Sequence, residues 1–141
     1  MKGPGSVVSR ETDVDLVLPE GTRAPLRASL RYAASDPYAI HMTFQTGPSE
    51  RVEWVFAREL LAIGAVRPAG DGDVRVWPDG EDPDRRINLS LSSPYGSALF
   101  ELSLPQVAEF LRDAYAIVPG GTESAFIDVD AALRSLLRGS V

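Results

Sequence analysis

The 141 residues carry 20 Asp and Glu against 14 Lys and Arg, a net charge of -6, and no cysteine. The missing cysteine excludes a disulfide framework, a thiolate metal site and a cysteine nucleophile. The acidic balance repels the phosphate backbone of nucleic acid unless positive charge gathers on one face, and of the basic residues only Arg85 and Arg86 stand adjacent.

A hydrophobic fraction of 44% and a charged fraction of 24% are ordinary for a globular chain, and the length suits one domain over residues 1–141 with one core. The N-terminal stretch has no apolar core of signal-peptide length, and no run approaches the roughly 18 apolar residues of a membrane span. A cytoplasmic setting without membrane insertion is the expectation.

Val7 to Leu18 reads as a first strand, with Thr12, Val14, Leu16 and Leu18 on one face and Glu11, Asp13 and Asp15 on the other. Pro19-Glu20-Gly21-Thr22 turns it into a second, Arg23 to Tyr32, whose outer face is basic through Arg27 and Arg31. From Asp36 to Leu61 a hairpin runs into a helix. Ile40, Met42 and Phe44 alternate with polar positions, Gly47-Pro48-Ser49 breaks the run, and Val52, Trp54 and Phe56 resume it. Leu60 and Leu61 then fit a helical turn that Gly64 can end in the left-handed conformation open to glycine.

A short strand follows over Asp73 to Trp77, where Pro78 stops it or marks a sheet edge. The acidic loop from Asp79 to Asp84 is expected to be exposed. Ile87, Leu89 and Leu91 alternate in a sixth strand, and Ser93-Pro94-Tyr95-Gly96 turns into a seventh with Ala98, Phe100 and Leu102. Seven short strands in sequence point to an antiparallel sheet or barrel. Ser103 and Gln106 have capping-box spacing, and Val107, Phe110, Leu111, Ala114 and Val118 form one stripe of a long helix ended by Pro119-Gly120-Gly121. Asp128 opens a last helix lined by Leu133, Leu136 and Leu137.

No catalytic pattern emerges. His41, the single histidine, lies on the face opposite Ile40, Met42 and Phe44, and no nucleophile motif accompanies it. The acidic residues from Asp71 to Asp84 break calcium-loop spacing, since Arg75 and Pro83 fall where third ligands belong. No catalytic, metal or cofactor residue is assigned. Trp54, Phe56, Phe44 and Phe110 are expected as core anchors, and Trp77, of opposite parity to Val74 and Val76, as an exposed aromatic at a protein contact.

Several blocks resemble the SsgA-like proteins, an actinobacterial family acting in sporulation-specific cell division. They are Asp36-Pro37-Tyr38-Ala39-Ile40, Val52 to Leu61 (VEWVFARELL), Gly72 to Pro78 (GDVRVWP), Leu91-Ser92-Ser93-Pro94, and Pro119-Gly120-Gly121-Thr122-Glu123. The resemblance implies an α+β fold, with about seven antiparallel strands in a barrel-like, Whirly-like arrangement, a short helix and two C-terminal helices, assembled as a homotrimer. It further implies a non-enzymatic regulator without cofactors that helps place the septum and guide cell-wall remodelling. Its partners would be a family paralogue and FtsZ or the divisome, and it would move from the cytoplasm to the division septum. The alternative, a Whirly-type single-stranded nucleic-acid-binding protein, lacks the clustered basic residues such binding uses.

Overall fold

The alternations build the strands β1 (Val7–Val17), β2 (Arg23–Ala33), β3 (Ala39–Gln45), β4 (Arg51–Ala57), β5 (Val74–Asp79), β6 (Arg86–Ser93) and β7 (Gly96–Ser103). Helix α1 (Arg58–Gly64) follows β4, α2 (Leu104–Ile117) follows β7, and a 3-10 turn spans Glu123–Phe126. This computed structural model describes residues 5–81 and 83–126; the expected helix after Asp128 lies outside them.

All pairings are antiparallel, in the order β4-β3-β2-β1-β7-β6-β5. The sheet curls into a half-barrel. Phe44 on β3 and Phe100 on β7, with β2 and β1 between their strands, stack with ring centroids 4.3 Å apart and planes 22° from parallel. A flat sheet could not bring them together. The strand directions put the β1–β2, β3–β4 and β6–β7 turns at one end of the half-barrel, and the starts of both helices at the other.

The concave face carries the core. Leu30, Ile40, Met42, Phe44, Leu89 and Leu102 are fully buried, and α2 lays Val107, Phe110, Leu111, Ala114 and Ile117 against them. Each such side chain of leucine or phenylalanine size stabilises by about 1.5–3 kcal/mol. On the convex face Asp13 stands opposite Arg27, as the charges of the two strands led one to expect. The ion pair, however, is the diagonal one from Arg27 to Glu11 at 3.6 Å, more than four-fifths exposed on both sides and so worth little.

Of two local devices, the first differs from expectation and the second takes one of its two expected forms, the sheet edge. Ser103 caps α2 by accepting from the Gln106 N–H at 3.4 Å, but the Gln106 side chain does not complete a capping box. Its Oε1 instead accepts from Thr12 Oγ1 at 2.7 Å and from the Asp13 N–H at 3.1 Å, tying the helix start to β1. Pro78 sits inside β5, opposite Ile87, on an edge strand where its missing N–H breaks no ladder.

Gly64 is the larger correction. It is the last residue of α1, is not among the positive-φ glycines, and Ala65 caps the helix in the right-handed region. Glycine is required there by closeness: a Cβ on Gly64 would lie 2.3 Å from Val76 Cβ and Cγ1. In an unobstructed helix Gly→Ala stabilises by about 1 kcal/mol, but here the overlap decides the sign. Gly64→Ala is expected to lower stability by about 1–3 kcal/mol in denaturant titrations. In a Val76→Ala background the Cγ1 overlap is gone but the Cβ at 2.3 Å remains, so the same substitution should cost less without becoming neutral.

Candidate protein-interaction site

The end of the half-barrel where the helices begin is closed around Arg58. This first residue of α1 extends the even-numbered face of β4, after Val52, Trp54 and Phe56, and is 1% exposed. Its Nη1 donates to the carbonyls of Ala114 at 3.2 Å and Val118 at 2.7 Å, and its Nη2 to Glu123 Oε2 at 3.1 Å. The guanidinium carbon lies 3.8 Å from the Tyr115 ring centroid and 4.8 Å from that of Tyr32.

A buried cation needs compensation, and each contact supplies some: two carbonyls at the negative end of the α2 dipole, a carboxylate and two ring faces. Tyr32 is fixed in turn by donating to the Pro37 carbonyl at 2.9 Å. Burial raises both phenols above their ordinary range, and the Arg58 charge offsets part of this. Glu123 also accepts from the Gly121 N–H at 2.8 Å. Its carboxyl is held below the usual range, first by its own backbone N–H and then by Arg58 and the Gly121 N–H.

The opposite end is open. Between the hairpin turns lies an apolar mouth of about 390 Å³, lined on one side by Phe44, Val52 and Trp54 and on the other by Leu91, Ala98 and Phe100. The stacked Phe44 and Phe100 therefore belong to both core and mouth. At its rim Tyr95 is 99% exposed. Its turn is held by Ser93, whose Oγ accepts from the Tyr95 N–H at 3.2 Å, and by Gly96 at φ +143°.

The structure brings two of the four expected core anchors, Phe44 and Trp54, to this mouth. Phe44, Phe56 and Phe110 are buried, whereas Trp54 is half-buried, with its side chain against the core and part of it open to the mouth. Trp77 is not the exposed aromatic expected. It is half-buried on the convex face of β5 opposite Asn88, and the exposed aromatics are Tyr95 and, at 51%, Tyr38. His41, on the convex face, stands 3.1 Å from Asp36 and 3.6 Å from Glu53. Among the described residues no three His, Asp or Glu side chains converge where they could hold a metal ion, and no helix is long and apolar enough to cross a membrane.

Fold and surface together define a curled-sheet α+β domain with an apolar recess between its hairpin turns. The chain belongs to the SsgA family of sporulation and cell-division proteins: the family model described as Streptomyces sporulation and cell division protein, SsgA, matches residues 26–123. It is 51% identical to the sporulation-specific cell division protein SsgB of Frankia casuarinae, over 94% of this chain and 92% of that protein. The crystal structure of an SsgA-like sporulation-specific cell division protein from Thermobifida fusca superposes with a TM-score of 0.86 at 43% identity, covering 96% of this chain and 98% of that one. An SsgB structure from a study of mutations that correlate with longitudinal cell division during sporulation of Streptomyces coelicolor gives 0.83 at 45% identity, covering 89% and 99% of the respective chains.

Removing the guanidinium while keeping the side-chain length, as in Arg58→Met, leaves the buried Val118 carbonyl without its donor and is expected to cost about 1–3 kcal/mol in chemical unfolding. The Glu123 contact also has a pH signature. Because its carboxyl is depressed in the folded state, its contribution is complete above the ordinary carboxylate pKa and disappears as pH falls through the lower folded value. Glu123→Gln should flatten the acid limb of the stability–pH curve, and an unchanged limb would show that the pair carries no such linkage.

Proposed function

We propose that this protein is a non-enzymatic adaptor of sporulation cell division, acting through protein surfaces to help place the septum and guide cell-wall remodelling. Membership of the SsgA family along almost the whole chain is the observation that carries this reading. The partners in this proposal are a family paralogue and FtsZ or another divisome component. The working form is a homo-oligomer, a trimer by family resemblance, recruited from the cytoplasm to the septum. The apolar mouth and exposed Tyr95 support a role exercised by contact, since apolar recesses and exposed aromatics are what protein contacts bury.

A fluorescent fusion followed through sporulation, beside a deletion strain, tests it. Regular bands preceding septation, with septa misplaced or missing in the deletion, are the expected result; diffuse signal with normal septa overturns the role. With purified protein, light scattering should give a mass above that of one chain, and co-sedimentation with FtsZ polymers should depend on the protein or on a family paralogue.

A further inference from the structure

We propose that the outer edge of β4 accepts an extended segment of a partner protein, which pairs as an added strand and drops alternate apolar side chains into the mouth. This deepens the adaptor reading and rests on it.

An open sheet has two edges, and here they are treated differently. The β5 edge is occupied: the Ala69 N–H donates to the Val76 carbonyl at 2.8 Å, and the Val76 N–H returns the bond to Ala69 at 2.9 Å. Pro78 removes a further donor, and Gly64 of α1 lies against Val76. Along β4, among the described residues, no strand pairs with the outer side.

The hydrogen-bond phase shows which groups it presents. Two bonds bracket the β3–β4 ladder, from the Thr46 N–H to the Glu50 carbonyl at 3.1 Å and from the Arg58 N–H to the Tyr38 carbonyl at 2.8 Å. In an antiparallel ladder bonded and non-bonded pairs alternate. Val52, Trp54 and Phe56 therefore bond inward to β3, and Arg51, Glu53 and Val55 turn their N–H and C=O groups outward. Such a row is a template for another strand.

The side chains specify what the strand must carry. Val52, 43% exposed, and Trp54 border the mouth, so an added strand would set its own alternate residues above the cavity. On the convex side Val55 is 49% exposed, and the exposed carboxylates of Glu53 and Asp36 flank His41. The complementary segment is extended, with apolar residues facing the mouth and basic residues facing Glu53. A second copy of β4 does not meet these demands. Antiparallel self-pairing about Glu53 opposes two carboxylates, and about Trp54 or Val55 it leaves Glu53 without a cation opposite. About Val52 it runs Val55 past the bend at residues 47–49.

Val55→Pro removes one outward N–H and leaves the β3 ladder whole, a change edge strands tolerate. The probe is a capped seven-residue synthetic peptide alternating valine or phenylalanine with lysine, together with two versions N-methylated on alternate amides in opposite phase. With the wild-type protein the peptide should slow exchange of the Glu53 and Val55 amides and change Trp54 fluorescence. Val55→Pro should weaken binding about tenfold or more at an unchanged melting temperature, and one of the two N-methylated peptides should fail to bind. If that variant unfolds, Glu53→Pro and the N-methylated pair on wild-type protein carry the test. Binding insensitive to the prolines and to both methylation phases overturns the proposal, as does self-association abolished by Val55→Pro without any peptide, which would give the edge to a second copy. A peptide-blind Val55→Pro fusion that still bands before septation would overturn the edge as the adaptor's contact while leaving the septation role standing.

Discussion

The burial of one cation, Arg58, governs how the closed end of this molecule is assembled. A guanidinium out of water is tolerated where its charge and most of its donors are answered; for Arg58 both Nη groups are bonded, and Nε has no hydrogen-bond partner among the described residues. The answers come from the C-terminal carbonyls of α2, the Glu123 carboxylate and the faces of Tyr32 and Tyr115. These groups lie on β2, α2 and the turn beyond it, so one side chain fixes the relative position of three segments and of α1. Two of the sequence blocks that carry the family resemblance, the one from Val52 to Leu61 and the one from Pro119 to Glu123, meet in this contact. Their joint presence in the chain has a physical basis: one supplies a buried cation and the other the partly exposed carboxylate that pairs with it.

Much of the sheet was legible because concave positions alternate without interruption. Thr12 and Val14, Leu30 and Tyr32, Ile40 to Phe44, and Ile87 to Leu91 all fall on the buried face by parity alone. What parity cannot give is how far the sheet curls or what covers its convex face, and the degree of burial of Trp54 and Trp77 depends on both. Curling leaves the upper part of the concave face open, so Trp54 is only half-covered, while Trp77 on the convex face is half-buried beside Asn88. Arg58 could have been found. Continuing the even parity of Val52, Trp54 and Phe56 by one step puts it on the buried side, but a charged residue at a helix start reads as solvent-facing, and its acceptors stand 56 to 65 positions away.

Gly64 shows the same limit from another side. Glycine near a helix end invites a conformational reading, because only local geometry is visible in sequence. Its actual constraint is tertiary, the approach of α1 to Val76 on the far edge of the sheet. That approach also explains why the half-barrel does not close by strand pairing. At the foot of the gap between β4 and β5 a helix stands where a further strand would otherwise be needed, covering apolar surface without extending the ladder.

The mouth follows from the placement of α1. A seven-residue helix spans about 10 Å, whereas a seven-residue strand such as β4 spans about 23 Å, so α1 can seal only part of the gap and the upper half of β4 remains uncovered. The fold tolerates this opening because the core beneath it is complete: the Phe44–Phe100 stack floors the mouth, and α2 fills the concave face beyond it. Stability is thus concentrated at the Arg58 end and unsatisfied surface at the hairpin end. Substitutions at the exposed rim, at Val52 or Tyr95, can therefore change contacts with little disturbance of the core, whereas those at Arg58 disturb the packing of α1 on α2.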